Sequence, residues 1–251
     1  MERENIFGSW NYKYTIQQII HLNLSLFLVK YTILIMIKID EKKRLVIVKL
    51  NGKWKKYSYE DPKAFEIVSD LWVQVGWDTK YVYSFTWFGR PIIQLPDDMI
   101  RIQEVIFSIK PDIIIETGVA HGGSSVFFAS LLELLKNGKV LSIEKSLRNK
   151  NRKLINEHIM KKRIEIIDGC SIDIKIFKEV KKRVKKNSRV LVFLDSNHSR
   201  SHVLRELEIF SKIVSLNSFI IVCDGIIKDL VDAPRSESDW KENNPINAIK
   251  D

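Results

Sequence analysis

At 251 residues and 45% hydrophobic side chains, the chain suits one sizeable α/β domain with an N-terminal extension. Cys170 and Cys223 stand far apart without C-x-x-C spacing, which argues against a disulfide framework or a zinc site and fits a reducing, cytoplasmic compartment. The net charge of +10 raises nucleic acid as a partner. Much of that excess lies in Lys145 to Arg163 and Lys175 to Arg189, however. In the second stretch, KIFKEVKKRVKK, Ile176, Phe177, Val180 and Val184 recur at helical spacing, so the lysines read as a solvated face. Phe177 is the one aromatic among these lysines and belongs to the apolar spacing, so no nucleic acid is expected.

Residues 1–35 form an extension. Ile19 to Ile37 is rich in Leu and Ile, but His21, Asn23, Ser25 and Lys30 interrupt it, so no stable membrane span is expected. An interfacial amphipathic segment is the other reading. Met36 opens a more regular stretch and is a candidate for the true start. Residues 36–96 form a second region. Ile37, Ile39 and Leu45 to Leu50 read as strands, with turns at Asp40 to Arg44 and Asn51-Gly52. Phe65 to Val75 reads as a helix. Thr86 to Pro96 (TWFGRPIIQLP) reads as a loop whose aromatics plug a gap beside the core or line a substrate mouth. The third region, 97–251, opens with Asp97 or Asp98 as the cap of a helix to Ser108.

Strands and helices then alternate. Ile113 to Ile115 is a short apolar run of the buried parallel kind, followed by Glu116, three glycines within seven residues, and a helix over Val126 to Leu135 that Ser124 and Ser125 can cap. Further strands fall at 138–143, 164–167, 190–194 and 219–222, with helices at 152–158, 174–186 and 202–213 between them. Such alternation predicts a parallel sheet with helices on both faces.

Strand, glycine loop, helix is the layout of a nucleotide site. Gly118, Ala120 and Gly123 come within one methyl of G-x-G-x-x-G, which leaves a dinucleotide-dependent oxidoreductase open. Glu116 favours S-adenosylmethionine instead. A carboxylate at the first strand tip repels pyrophosphate but can accept from an ammonium group. Each strand also ends in or beside an acid: Glu116, Glu144, Asp168, Asp195 and Asp224. In open α/β sheets ligands bind outside those tips. Glu144 can accept both ribose hydroxyls, and Asp168 with Gly169 would sit near the adenine edge. Asp195 and Asp224 head adjacent strands and offer hard oxygen ligands for Mg²⁺, which would hold an acceptor oxygen near the donor methyl. His198 is a candidate base, with capping or core packing as its alternative.

TWFGRPIIQLPDD, KPDIIIETGVAHGGSS, LDSNHSRSHVLRELE and NNPINAI, in that order, resemble the cephalosporin hydroxylase and rhamnosyl O-methyltransferase family from about Tyr57 onward. The resemblance implies a Rossmann-like class I methyltransferase fold, S-adenosylmethionine binding and Mg²⁺ at the strand tips. It also implies a sugar, lipid-linked or natural-product hydroxyl as acceptor, and a homo-oligomer. Two departures stand out. Cys223 precedes Asp224 where the family carries an acidic pair, and thiol is a poor ligand for a hard cation. The chain stops at Asp251, so the sheet is expected to lack its closing hairpin, which raises a non-catalytic member as a further reading.

Overall fold

The structure is a computed structural model that describes residues 36–50 and 52–251. The expectations for residues 1–35 lie outside the described residues. The chain divides into two compact units, 1–56 and 57–251.

The described part of the first unit is a three-stranded meander of β1 (Met36–Asp40), β2 (Leu45–Leu50) and β3 (Lys53–Ser58), whose last residues cross into the second unit. β1 and β2 pair antiparallel from Met36↔Lys49 to Asp40↔Leu45. The turn between them is closed by Asp40, whose Oδ1 accepts from the Lys43 N–H at 2.9 Å. Gly52 takes a left-handed φ of +77° in the second turn, a conformation that most residues avoid.

In the second unit α1 spans Pro62–Asp78, longer at both ends than its apolar periodicity implies. Asp61 caps it, accepting from the Lys63 N–H at 2.9 Å, and Pro62 supplies a helical φ in the first turn. The stretch expected to be a loop contains a small antiparallel ribbon, β4 (Thr86–Trp87) with β5 (Arg90–Pro91). Trp87 plugs the core, its ring 5.0 Å from that of Phe127 and its Nε1 donating to Ser130 Oγ at 3.0 Å. α2 (Pro96–Ile109) begins one residue before the expected cap. Its N-cap is Leu95, and Asp97 and Asp98 lie inside its first turn.

The sheet follows: β6 (Ile113–Thr117), α3 (Gly123–Leu134), β7 (Lys139–Glu144), α4 (Asn149–Asn156), β8 (Ile164–Asp168), α5 (Ile174–Arg183), β9 (Val190–Leu194), α6 (Arg200–Phe210), β10 (Ile220–Val222) and α7 (Pro245–Lys250). The five strands are parallel in the order β10-β9-β6-β7-β8. The chain runs outward from β6 to β8, then returns to β9 on the other side of β6. Right-handed crossovers therefore put α3 and α4 on one face and α5 and α6 on the other. The core follows from the sequence: every residue of β6 and β9 is buried, and Phe128 stacks edge-on to Phe193 at 4.9 Å. Emptying either aromatic position would cost about 3–5 kcal/mol. In α5, which ends at Arg183 and so three residues short of the expected 186, Ile176 and Val180 are buried while Lys178, Lys181 and Lys182 are exposed, as their spacing implies. No helix among the described residues is long and apolar enough to cross a membrane.

Candidate active site

The reversal of strand order falls between β6 and β9, where an open α/β sheet forms its ligand crevice. Thr117 and Leu194 are in register there, and the Asp195 N–H donates to the Thr117 carbonyl at 3.0 Å. Gly118 follows with φ +85°, and its N–H donates to the Ile143 carbonyl at 2.9 Å. A Cβ there would lie 2.0 Å from the Asp195 carbonyl oxygen. Glycine is thus required twice over, by its dihedral and by the approach of the first loop to the end of β9. Glu144, at the tip of β7, holds the same loop from the other side. Its Oε2 accepts from the N–H groups of Val119 (2.9 Å) and Ala120 (3.3 Å), and its Oε1 from that of Ser146 (3.2 Å). Ala120 itself is exposed, with a left-handed φ of +45°.

Several expected contacts are placed differently. Glu116 is fully buried. Its Oε1 accepts from Ser124, and its Oε2 from Ser125 and from Ser142, the last at 2.7 Å. Burial outweighs these hydrogen bonds and pushes its pKa up to about 7. It does not present a carboxylate to an incoming ammonium group; it fastens the start of α3 from beneath. Ser124 and Ser125 spend their hydroxyls on Glu116, so the N-cap of α3 is Gly122, without a side-chain cap. Gly123 is a packing glycine, since a Cβ there would meet the Pro91 carbonyl oxygen at 2.1 Å. Asp168 is exposed and pairs with the Arg152 guanidinium. Gly169 follows it, its N–H donating to the Glu144 carbonyl at 3.0 Å.

The tips of β9 and β10 do converge. His198 Nδ1 lies 2.9 Å from Asp224 Oδ2, and its Nε2 lies 3.5 Å from Asp195 Oδ1. Asp195 Oδ2 accepts from Gln94 Nε2 at 3.0 Å. Burial and the Asp224 charge push the Asp195 pKa up to about 6. Burial alone would lower that of His198, but the two aspartates raise it to about 10. The imidazolium in turn holds Asp224 below the usual carboxylate range, against the effect of its burial. Asp98 joins from α2, pushed up to about 6 by burial and by the charges of Asp97 and Asp224. Burial and the surrounding acids raise the Cys223 thiol well above its ordinary value.

Gln94 is a site residue that sequence reasoning missed, Asp98 was read only as a helix cap, and Arg90, expected beside aromatics at a substrate mouth, braces the glycine loop instead. Arg90 is buried, and its guanidinium donates to the His121 carbonyl and to Asn151 Oδ1 at 3.2 Å, tying the glycine loop to α4. All three fall inside the TWFGRPIIQLPDD stretch, which was a signal of the right segment. Nothing in its spacing shows that Gln94 reaches a residue 101 positions away.

One ligand atom each from Asp195, His198 and Asp224 lies within 4.8 Å of the other two. His198 Nε2 is buried without a hydrogen-bond partner. Two carboxylates that converge in this way suit a divalent cation, with the His198 nitrogen available to it only as neutral imidazole. Asp195 and Asp224 supply the hard oxygens, and the imidazolium spans them.

A five-stranded parallel sheet with a glycine loop at the strand reversal and an acid at the next strand tip defines a Rossmann-like α/β fold of the class I methyltransferase kind. The Rhamnosyl O-methyltransferase/CmcI family model matches residues 79–251, and the chain belongs to that family. The rhamnosyl O-methyltransferase of Mycobacterium tuberculosis strain H37Rv is 27% identical over 145 residues, which are 57% of each chain. That of Mycobacterium leprae strain TN is 27% identical over 143 residues, 56% of this chain and 60% of its own. The chain thus spans little more than half the length of the relatives it matches. Among solved structures, the Mg-SAM structure of CmcI is 15% identical with a TM-score of 0.45, covering 63% of this chain and 65% of that one.

Proposed function

We propose that the chain is an S-adenosylmethionine-dependent O-methyltransferase acting on a sugar hydroxyl. The observation that carries the reading is the gathering of Gln94, Asp195, His198 and Asp224 against the loop of Gly118, at the point where such a sheet receives its ligand. When bound, the donor supplies an electrophilic methyl carbon on a sulfonium. Glu144 is placed to take the ribose hydroxyls, because Oε1 keeps acceptor capacity beyond its single contact to Ser146. Glu116 acts at one remove, by fixing Ser124 at the mouth of α3. Asp168 and Gly169 flank the adenine end.

The acceptor oxygen must lose a proton as it bonds to the methyl carbon and the carbon–sulfur bond breaks. His198 is held as an imidazolium and has no lone pair for that proton near neutrality. Asp195, with a pKa pushed up to about 6, is poised to take it. Gln94 orients its second oxygen. This choice of base holds for the metal-free site; Mg²⁺ on Asp195 and Asp224 would supply a Lewis acid beside the acceptor oxygen, would replace the imidazolium charge, and would leave the proton to a neutral His198.

Calorimetry with S-adenosylmethionine and S-adenosylhomocysteine tests the donor. Binding that weakens in Glu144→Ala is expected; absence of heat at high micromolar ligand, or heat with NADH instead, would overturn the reading. Asp195→Asn should bind donor as the parent does while losing about 100-fold or more in methyl transfer to a rhamnoside. Turnover that survives excess chelator would remove the metal.

A further inference from the structure

The meander of residues 36–58 carries charge that the proposed reaction does not use. Residues 36–56 hold eight lysines and arginines against two acids, a net +6 of the whole chain's +10. Lys38, Lys42, Lys43, Arg44, Lys53, Lys55 and Lys56 are exposed. The register makes one face of the sheet more than a basic surface. Met36 stands directly opposite Lys49, and Lys38 shares their face by strand alternation. Trp54 lies on the same face, because the ammonium groups of Lys38 and Lys49 stand 4.9 and 5.9 Å from its ring centroid. Alternation adds Lys56. An indole 44% exposed and a methionine 49% exposed thus sit among three lysines.

From this face we infer that the meander docks on an anionic lipid bilayer. Lysines attract the headgroups, and each ammonium near such a surface is worth roughly a fivefold gain in binding. An indole and a thioether among them can enter the interfacial zone, where amphipathic rings are favoured. A polynucleotide has no comparable use for Met36. The ring faces that would stack bases are also approached by Lys38 and Lys49. The sequence just before the sheet, rich in Leu and Ile from Ile19 onward, runs into it without a break. Broken by His21, Asn23, Ser25 and Lys30, that stretch has the mixed apolar and polar composition of a segment that lies at a lipid surface and not across it. Lysines that merely protect the exposed edges of β1 and β3 from other chains would need neither Trp54 nor Met36 beside them.

Co-sedimentation of the full chain with vesicles tests the inference. Binding is expected to phosphatidylglycerol–phosphatidylcholine vesicles and not to phosphatidylcholine alone, with loss at about 0.5 M salt, where screening shortens to a few ångströms. Lys38→Gln/Lys49→Gln/Lys56→Gln should weaken it roughly 100-fold. Trp54→Ala should weaken it as well, and both variants should keep the parent's far-ultraviolet spectrum. Lys178→Gln/Lys181→Gln/Lys182→Gln removes the same charge from α5 and should leave binding unchanged. Equal loss in the α5 variant would show net charge alone at work. No preference for phosphatidylglycerol, or displacement by heparin at matched charge concentration, would overturn the lipid assignment. Calorimetric donor binding is a separate readout, so failure here leaves the methyltransferase reading standing.

Discussion

Gly118 and Gly89 form a controlled pair for testing how the glycine loop is built. Their φ values are +85° and +77°, so alanine meets nearly the same dihedral penalty at each, about 1 kcal/mol. They differ in space. Nothing lies within 4 Å of a Cβ at Gly89, whereas one at Gly118 would sit 2.0 Å from the Asp195 oxygen, 2.7 Å from its carbonyl carbon and 3.0 Å from Ser196 Cα. Those are backbone atoms at the end of a buried strand, so no rotamer change relieves the overlap. Overpacking of this kind adds about 1–3 kcal/mol. Gly89→Ala should therefore lose about 1 kcal/mol and Gly118→Ala about 3. Urea unfolding with an unchanged m-value measures both, and the Gly118 variant alone should lose donor affinity. Equal destabilisation of the two would refute the claim that the first loop is pressed onto β9.

Other consequences follow from burial and charge. Glu116 has a pKa raised from 4.5 to about 7, so the folded state binds more protons and stability should fall as pH rises through that window, by on the order of 3 kcal/mol. Glu116→Gln should flatten this dependence in urea unfolding; parallel pH profiles would refute it. Arg90→Ala strips donors from the His121 carbonyl and Asn151 and should cost about 3 kcal/mol, and a loss under about 0.5 kcal/mol would show the ties to be idle. Cys223 should react with iodoacetamide at neutral pH about tenfold or more slower than a free thiol, read in a Cys170→Ser background, and a normal rate would contradict its burial among acids.

The parallel strands were legible because strands buried on both faces leave continuous apolar runs, and Val190 to Leu194 is found where its composition predicts. The β4–β5 ribbon was not. Two strands of two residues have no periodicity, and Phe88 takes a positive φ that sequence gives no reason to expect of it. The acids at the strand tips were legible as positions but not as roles. Glu116 and Glu144 differ little as letters in a sequence. One is sealed by three hydroxyls, two of them from the adjoining GGSS and one from β7, while the other faces a row of backbone amides. Asp98 looked like a helix cap because Asp commonly is one. Pro96 begins the helix earlier and carries Asp98 into its first turn, where desolvation, then the charges of Asp97 and Asp224, raise its pKa.

The electrostatics of the crevice therefore rest on different acids from those nearest the glycine motif. Asp195 and Asp224 hold oxygens within 4.8 Å of each other, where two full charges repel by about 3 kcal/mol at an effective dielectric of 20. That repulsion requires a positive occupant, and His198 provides one between them. A divalent cation at the same aspartates would answer the same demand with twice the charge, without any help from Cys223. Cys223, a poor ligand for a hard cation, leaves untouched the pair that creates the field. The negative charge that Glu116 suggested for the crevice is therefore carried by this pair, at the tips of β9 and β10, while Glu116 itself is sealed beneath α3.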